Sequence, residues 1–485
     1  MHRAGPEPAQ RFGGSRIPQK VWPQFFVAIA ALCLIATDTE TIFVTAPLAV
    51  GLFATLAFFW TLWCRRDGMM PWFELGAVYV TAVVLYMAYP LVGYLALGQT
   101  YTLLNDNRLA MMQPDAAEVG QIGWLYVCHL VAFGVAYLLT RGRLVIHDTP
   151  LRRPGPSVLM AAAIAYLAIE AFQLSLGFFF DMSASTYIES FLVSRRLPLF
   201  LAQLLNHLSG IQYPLSLMLL AALFERYQKY RPLILAWLLL MTAITLTRLG
   251  SRTDLVLLVM SAAMMYHALV RPLPSRVVLS IGVAGLVGFL AFGVVRGGGL
   301  QRPDTLPLNP FAYASEFETL FANAVHLNRQ KDLLGELPVA FYLADLGALI
   351  PQQIAPFTKV DRGDWYVSTF FPGYAAAGGG YAFGTIAEAI LTGGWIGALA
   401  WGAALGVCFA KVHRFYARHA DRFWVFVFYV WITTLSYQSF RNGTFALLVY
   451  VAYRFLPALL AVNLLAHGLK RATRGSQPAA AAAKA

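Results

Sequence analysis

The chain has 485 residues, of which 59% are hydrophobic and only 12% are charged, with a formal net charge of +12 at pH 7. This composition excludes an ordinary soluble globular protein, which needs far more charge to cover its surface. The positive charge does not indicate nucleic-acid binding, because the cytoplasmic loops of membrane proteins also collect Lys and Arg. No basic stripe interleaved with aromatic residues is present on a soluble module.

Apolar runs recur along nearly the whole chain, and most are long enough to cross about 30 Å of hydrocarbon. We therefore predict an all-α polytopic integral membrane protein with about twelve transmembrane helices. The first span follows a basic N-terminal segment and is expected to be an uncleaved signal anchor. The predicted spans are 21–36, 41–63, 74–97, 121–139, 157–178, 199–224, 232–247, 254–270, 277–295, 384–410, 423–439 and 444–466.

The loops between these spans alternate in charge, which predicts their sidedness. Loops 64–68, 140–154, 225–231, 271–276 and 411–422 are rich in Lys and Arg, as are the two termini. They are predicted to face the cytoplasm, with the other loops on the outer side of the membrane. The predicted order is a cytoplasmic tail (1–20), spans (21–295), a large outer loop with short helices (296–383), which is periplasmic if the cell is bacterial as the resemblance below implies, spans (384–466) and a cytoplasmic tail (467–485).

Several arginines lie at span ends on the outer side, against the usual charge bias. A single arginine there can simply extend to a lipid phosphate. Several that converge from different spans favour an anionic ligand, because a guanidinium group matches phosphate oxygens bidentately. These outer arginines are Arg195, Arg196, Arg248, Arg252, Arg296 and Arg441.

The large outer loop contains three recognisable stretches. Residues 309–330 are predicted to form a helix with one apolar face. Residues 337–357 are predicted to form a helix that lies at the membrane interface or dips into the membrane. Residues 359–374 mix aromatic and charged side chains, which is typical of a sugar site, although an interfacial aromatic belt has similar composition. The candidate sugar-binding residues are Asp361, Arg362, Trp365, Tyr366 and Tyr381.

Four stretches give the chain a resemblance to a known family. AAAGGGYAFGTIAEAILTGGWIGAL (375–399) has a glycine-rich approach, a glutamate one turn into a helix and a glycine pair. It resembles the Wzy-type oligosaccharide repeat-unit polymerases, as do LGSRTDL (249–255), LIPQQIAPFTK (349–359) and FRNGTF (440–445). The resemblance covers roughly residues 247–445, and Gln352 stands where that family usually has an arginine.

The resemblance implies a membrane glycosyltransferase of the C type in the bacterial inner membrane. Such enzymes join undecaprenyl-diphosphate-linked oligosaccharides on the periplasmic side and so lengthen O-antigen, capsule or exopolysaccharide. They use no cofactor, neither metal nor nucleotide sugar. A chain-length regulator and a flippase are the protein partners this implies, beside membrane lipid.

Glycosyl transfer from a lipid diphosphate leaves a diphosphate whose negative charge grows as the bond breaks, so fixed cations stabilise it. Arg248, Arg252 and Arg441 are expected to hold this group, with Arg296 and Arg195 as further candidates.

The acceptor hydroxyl needs a base or an orienting group. Glu388 is the first candidate, although it could equally be a structural partner for an arginine. His326 is the second, since imidazole titrates near working pH, although a lone histidine is more often structural. The outer loops show no His, Asp and Glu spacing typical of a metal site, and no DxD motif.

Two other functions remain open. An O-antigen ligase, or another lipid-linked glycan transferase, would have a similar architecture. A transporter or flippase for the same lipid-linked sugar would often have two related halves, and we find no repeat between residues 1–240 and 241–485.

Overall fold

In a computed structural model, the backbone is described for the greater part of the chain. The described segments are 39–64, 71–98, 107–142, 151–180, 197–247, 252–296, 315–334, 344–350, 359–376 and 379–475, with positions 337, 341, 354 and 355.

The described residues are almost entirely helical, as the composition predicts. From the N-terminal side the helices are α1 (Thr39–Cys64), α2 (Leu75–Leu97), α3 (Asn107–Met112), α4 (Ala116–Arg141), α5 (Pro156–Phe179), α6 (Leu199–Glu225), α7 (Tyr227–Thr247), α8 (Arg252–Leu269) and α9 (Ser275–Arg296). They continue with α10 (Ser315–Gln330), α11 (Ala344–Ala348), α12 (Arg362–Phe370), α13 (Pro372–Ala376), α14 (Thr385–Leu391), α15 (Trp395–Arg418), α16 (Phe423–Thr434), α17 (Gln438–Arg441), α18 (Ala446–Tyr450) and α19 (Leu456–Gly475). A π-helical turn over Val451–Phe455 joins α18 to α19.

Seven helices in the described part are long and apolar enough to cross a membrane. They are Thr41–Cys64, Leu75–Leu97, Ala116–Arg141, Pro156–Phe179, Phe200–Glu225, Trp395–Arg418 and Ala446–Arg471. Three shorter apolar helices coincide with further predicted spans, namely Val256–Leu269, Ser275–Gly288 and Phe423–Thr434. The all-α membrane class is therefore confirmed, while the count of twelve stays a prediction. The predicted span 21–36 lies outside the described residues.

The predicted span 384–410 is corrected by the structure, because it is two helices. The short helix α14 ends at Leu391, and α15 begins only at Trp395. Gly393 and Gly394 between them have φ values of 128° and 60°, which L side chains rarely adopt. The hydropathy pattern does not indicate this helix end, because glycine is neither polar nor charged and leaves the run apolar.

The tightest helix pair in the core is α4 against α15, and small residues make it possible. A Cβ atom at Gly402 would overlap the backbone carbonyl of His129, and one at Gly406 would lie 2.5 Å from the carbonyl oxygen of Phe133. The two glycines are four residues apart and so lie on one face of α15. Close backbone approach through such a pair is a common way for helices to pack within a membrane.

Ion pairs join several loops at one end of the bundle. Arg152 lies 2.7 Å from Asp421, which ties the loop before α5 to the loop after α15. Arg153 pairs with Glu225 at the end of α6. These loops all belong to the set that the charge pattern assigns to the cytoplasm, so they share one end of the described bundle.

A buried polar network lies at this same end, between α2, α4, α15 and α16. The carboxylate of Glu74 accepts from Arg141 Nε at 2.5 Å and Nη2 at 2.9 Å, and from Tyr137 Oη at 2.7 Å. His413 Nε2 lies 3.7 Å from the same carboxylate, and its Nδ1 lies 2.8 Å from Tyr429 Oη. The side chains of Glu74 and Arg141 are each only 3% exposed, so each charge depends on the other for compensation.

The opposite end is built around α10, the helix predicted within the large loop. Its predicted apolar face is confirmed, because Phe317, Leu320, Phe321 and Ala324 are all buried. Arg329 near its end donates from Nε to Glu118 at 2.6 Å. This part of the large loop therefore packs onto the N-terminal end of α4.

We predict that Arg141→Met destabilises the folded protein by roughly 3–5 kcal/mol, because the buried carboxylate of Glu74 then loses its main counter-charge. The matched control is Arg152→Met, whose side chain is 79% exposed and whose loss is expected to cost about 0–1 kcal/mol. The measurement is the thermal midpoint of the full chain in detergent. Equal midpoints for the two variants would contradict the importance of the buried pair.

Candidate functional site

Arg362 is the centre of a buried charged cluster at the loop-bearing end. It is the first residue of α12, where the side chain of Asp361 caps the helix. Arg362 Nη1 lies 3.1 Å from Glu388 Oε1 and 3.4 Å from Asp345 Oδ2, and its Nε donates to the backbone carbonyl of Phe341 at 3.1 Å. The side chains of Arg362 and Glu388 are 4% and 2% exposed. One cation thus holds two carboxylates from separate elements.

The turn between α17 and α18 completes this cluster. Glu388 Oε2 accepts from both the backbone N–H and the hydroxyl of Thr444, each at 3.0 Å. Asp345 Oδ2 accepts from the backbone N–H of Phe445 at 3.1 Å. Gly443 has a φ of 143°, and a Cβ there would lie 3.0 Å from Asp345 and 3.1 Å from Arg362. Only glycine fits this turn between the two charges.

Arg108, on the short helix α3, forms a second buried centre. Its Nη1 donates to Asn323 Oδ1, and to Tyr366 Oη at 3.4 Å. Its guanidinium carbon lies 3.6 Å from the ring centroid of Tyr381. Asn323 donates in turn to the backbone carbonyl of Phe383 at 3.0 Å. Arg108 therefore joins α10, α12 and the segment that leads into α14.

His326 lies on α10 beside this second centre. Its Nδ1 is 3.1 Å from Tyr366 Oη, and its ring meets that of Phe370 edge-on at 4.8 Å. Burial, followed by the charges of Arg108 and Arg329, lowers the pKa of His326 to about 4. The imidazole is thus neutral at pH 7, when it can accept a proton only as a weak base.

The candidate sugar-binding residues fall into exposed and buried groups. Asp361 is exposed, and Trp365 is half-buried with its ring 4.7 Å from that of Phe341. Tyr381 is half-buried and stacks at 4.8 Å on Tyr374, which is exposed. These side chains form the accessible aromatic face, whereas Arg362 and Tyr366 are buried beneath it.

Only some of the predicted diphosphate-binding arginines lie within the part of the chain that the structure describes. Arg248 and Arg195 lie outside the described residues. Arg252 begins α8 and Arg296 ends α9, but their side chains lie outside the described part. Arg441 ends α17 and is half-buried, two residues before the turn that packs on Arg362. Of this group, Arg441 alone has a side chain within the described part, and its Nη1 donates to Asn442 Oδ1 at 3.1 Å.

The sequence patterns missed Arg108 as a site residue. The charge rule that picked out the other outer arginines applies to it as well, because it lies in an outer loop. The span-end criterion does not select Arg108, because it does not lie at the end of a predicted span. Its contact with Asn323, 215 positions away, is formed only in the folded chain. The sequence patterns likewise do not select Asp345, which lies in the apolar run 337–357, whereas the structure pairs it with Arg362.

Within the described part of the chain, no three His, Cys, Asp or Glu side chains are grouped closely enough to hold a metal ion. The charged groups that the described site offers a ligand are therefore arginines and carboxylates, with aromatic rings beside them.

Comparisons of the chain with protein families, with curated proteins and with solved structures find no match in any of the three.

We predict that Arg362→Met costs roughly 3–5 kcal/mol of stability, since it leaves the buried carboxylate of Glu388 uncompensated. Adding Glu388→Gln to that variant removes the stranded charge and is expected to restore part of the loss. Arg329→Met is the matched control, because its pair with Glu118 is 34% and 28% exposed and contributes about 0–1 kcal/mol. Unfolding midpoints in detergent test this, and a double variant that is simply the sum of both losses would refute the pairing.

We also predict that His326 makes the fold less stable as the pH falls from about 6.5 to about 4. Its folded pKa is about 4, below the ordinary value of 6.5, so between these values the unfolded chain binds more protons. The contribution is complete above pH 6.5 and declines below it. Thermal midpoints of wild type and His326→Gln across pH 4–7 test this. Parallel curves would contradict it, whereas a shallower slope in the variant is expected.

Proposed function

We propose that the protein is a bacterial inner-membrane polysaccharide polymerase. It transfers a growing glycan from undecaprenyl diphosphate to a lipid-linked repeat unit on the periplasmic side. It acts as a metal-independent glycosyltransferase, and its fold is of the C type.

The observation that carries this proposal is the contact between Glu388 and Thr444. These residues belong to two of the four stretches that resemble the polymerase family, and they are 56 positions apart. Asp345 and Arg362, both in the predicted periplasmic loop, bond to the same two segments. Three segments singled out from the sequence therefore meet in one buried cluster, which is what a shared site requires.

The chemistry expected of such an enzyme fits the groups present. The diphosphate leaving group gains negative charge in the transition state, and a fixed guanidinium stabilises it without reorganising. Arg441 ends the helix just before the turn that Glu388 and Asp345 bind, so its backbone is fixed relative to the large loop. The half-buried Trp365 and the exposed Tyr374 lie on that loop, where sugar rings of the acceptor or donor would pack.

The geometry favours Glu388 as a structural partner of an arginine, and not as the base for the acceptor hydroxyl. Its Oε1 faces Arg362 and its Oε2 accepts two hydrogen bonds from Thr444, so neither oxygen is directed at an open site. Glu388 then acts as a positioning residue that holds the turn carrying Arg441. His326, neutral at pH 7 and at the aromatic edge of the cluster, remains a candidate to orient the acceptor hydroxyl.

We predict that Arg441→Gln abolishes polymerisation without removing the protein from the membrane. Loss of one transition-state cation is expected to lower the rate by about 10²–10³-fold. The host strain lacking the gene is complemented with wild type, Arg441→Gln or Arg414→Gln, and immunoblots match expression. Arg414 is the control, since it donates to the backbone of Thr140 at the other end of the bundle. The readout is the surface-polysaccharide ladder together with the lipid-linked glycans extracted from the membrane.

The outcomes separate the functional classes. Collapse of the ladder to a single repeat unit, rescued by wild type and Arg414→Gln only, supports a polymerase. Long chains that stay on the lipid carrier identify a ligase instead. Single lipid-linked repeats that accumulate on the cytoplasmic face identify a flippase. An unchanged ladder after deletion refutes a polymerase role in that polysaccharide.

A further inference from the structure

Arg454 is a cation placed within an apolar span. It lies in the membrane-crossing helix Ala446–Arg471, on the π-helical turn that joins α18 to α19. Its guanidinium carbon is 3.9 Å from the ring centroid of Tyr450. Among the described residues it forms no ion pair and no hydrogen bond. A charged side chain at membrane depth is costly, and it usually marks a path or site for a ligand of opposite charge.

The neighbouring helix α6 is shaped around this arginine. A Cβ atom at Gly210 would lie 2.9 Å from Arg454 Cγ and 3.0 Å from Cδ and Nε. Glycine at that position therefore makes room for the arginine stem between the helices. The acidic residue of the adjacent span α5, Glu170, accepts hydrogen bonds from Tyr166 and Gln212, and it does not pair with Arg454.

Arg454 and Arg441 converge on the same tyrosine. Arg441 Nη1 donates to Asn442 Oδ1 at 3.1 Å, and Asn442 Nδ2 donates to Tyr450 Oη at 2.9 Å. Arg454 lies over the face of that ring. Arg441, at the end of α17, and Arg454, on the π-helical turn, are thus linked through Asn442 and Tyr450.

The depth of this site is indicated by the preceding residue of the helix. Tyr453 Oη donates to the backbone carbonyl of Leu349, in the large outer loop, at 3.1 Å. Arg454 therefore lies just beneath that loop rather than at the centre of the span. A π-helical turn adds one residue to the helical repeat, and such turns frequently occur at functional sites. Here it turns Arg454 toward α6 and its glycine.

We propose that Arg454, Arg441 and Tyr450 form an intramembrane binding site for the phosphate group of a lipid. The guanidinium of Arg454 supplies bidentate donors to phosphate oxygens, and the apolar flanks of α6 and α19 accommodate the hydrocarbon chain. The lipid diphosphate of the proposed polymerase substrate is one source of this group, and an anionic phospholipid is the other. That first source rests on the proposed function, whereas the phosphate site itself does not.

The test uses the full chain, purified and reconstituted into phosphatidylcholine nanodiscs. Undecaprenyl diphosphate is titrated in one arm and phosphatidylglycerol in the other, and bound lipid is counted by native mass spectrometry. Wild type is compared with Arg454→Gln, Arg454→Lys and Gly210→Ala. The control is Arg271→Gln, which removes an exposed cation after α8, in a loop of the predicted cytoplasmic set.

Arg454→Gln is expected to weaken binding of phosphate-bearing lipid about tenfold or more, since a charge-assisted hydrogen bond is lost. Arg454→Lys should recover part of this affinity, because the charge is kept but the bidentate geometry is not. Gly210→Ala should give an intermediate loss, since it displaces the arginine stem without changing the charge. Arg271→Gln should bind like wild type.

The outcomes distinguish the two sources and the two proposals. If Arg454→Gln weakens the binding of undecaprenyl diphosphate only, the result supports a substrate site. If it weakens the binding of both lipids equally, the result supports a general site for phosphate-bearing lipids. Affinities within about twofold of wild type for Arg454→Gln in both arms overturn the inference. If the deletion strain keeps its polysaccharide ladder while Arg454→Gln still loses lipid, the polymerase proposal fails and the phosphate site stands.

Discussion

The constraint on which the loop-bearing end depends is the cost of burying a carboxylate. Glu388 is almost completely enclosed, and such a charge is tolerated only with a close counter-charge and hydrogen-bond donors. Arg362 supplies the charge, and Thr444 supplies two hydrogen bonds. Because these three residues come from α14, α12 and the turn before α18, satisfying one carboxylate fixes three segments relative to each other. The same requirement selects glycine at position 443, where any side chain would meet the charged groups.

The other end of the described bundle solves the same problem with different groups. Glu74 is compensated by Arg141 and Tyr137, with His413 nearby, and this network joins helices rather than loops. Between the two ends α4 and α15 approach each other closely, helped by glycines such as Gly402. Charge is therefore concentrated at two levels of the bundle. Arg454 lies within a membrane-crossing helix between these levels, and for this cation we propose a ligand rather than a protein partner.

Hydropathy predicted the helical membrane class and most span positions, because burial in hydrocarbon leaves a strong and local signal in composition. It failed at 384–410, where Gly393 and Gly394 end a helix through their backbone conformation and not through polarity. The apolar face of α10 was predictable from helical spacing, as the burial of Phe321 shows. The ion pairs of Arg362 and the contacts of Arg108 were not, since they join residues far apart in the chain. Pairing of this kind depends on tertiary geometry, about which a single sequence contains almost no local signal.

The turn over residues 440–445 explains how a membrane site and a loop site can act together. On one side Thr444 and Phe445 bind the carboxylates of Glu388 and Asp345, which are fixed to the large loop. On the other side Asn442 binds Tyr450, whose ring supports Arg454 within the span. A reaction at a lipid diphosphate needs this combination, because the lipid stays in the membrane while the sugars lie outside it. In the proposed polymerase, this turn keeps Arg441 and Arg454 in register with the proposed sugar-binding side chains of the loop, so that neither half has to reorganise during transfer.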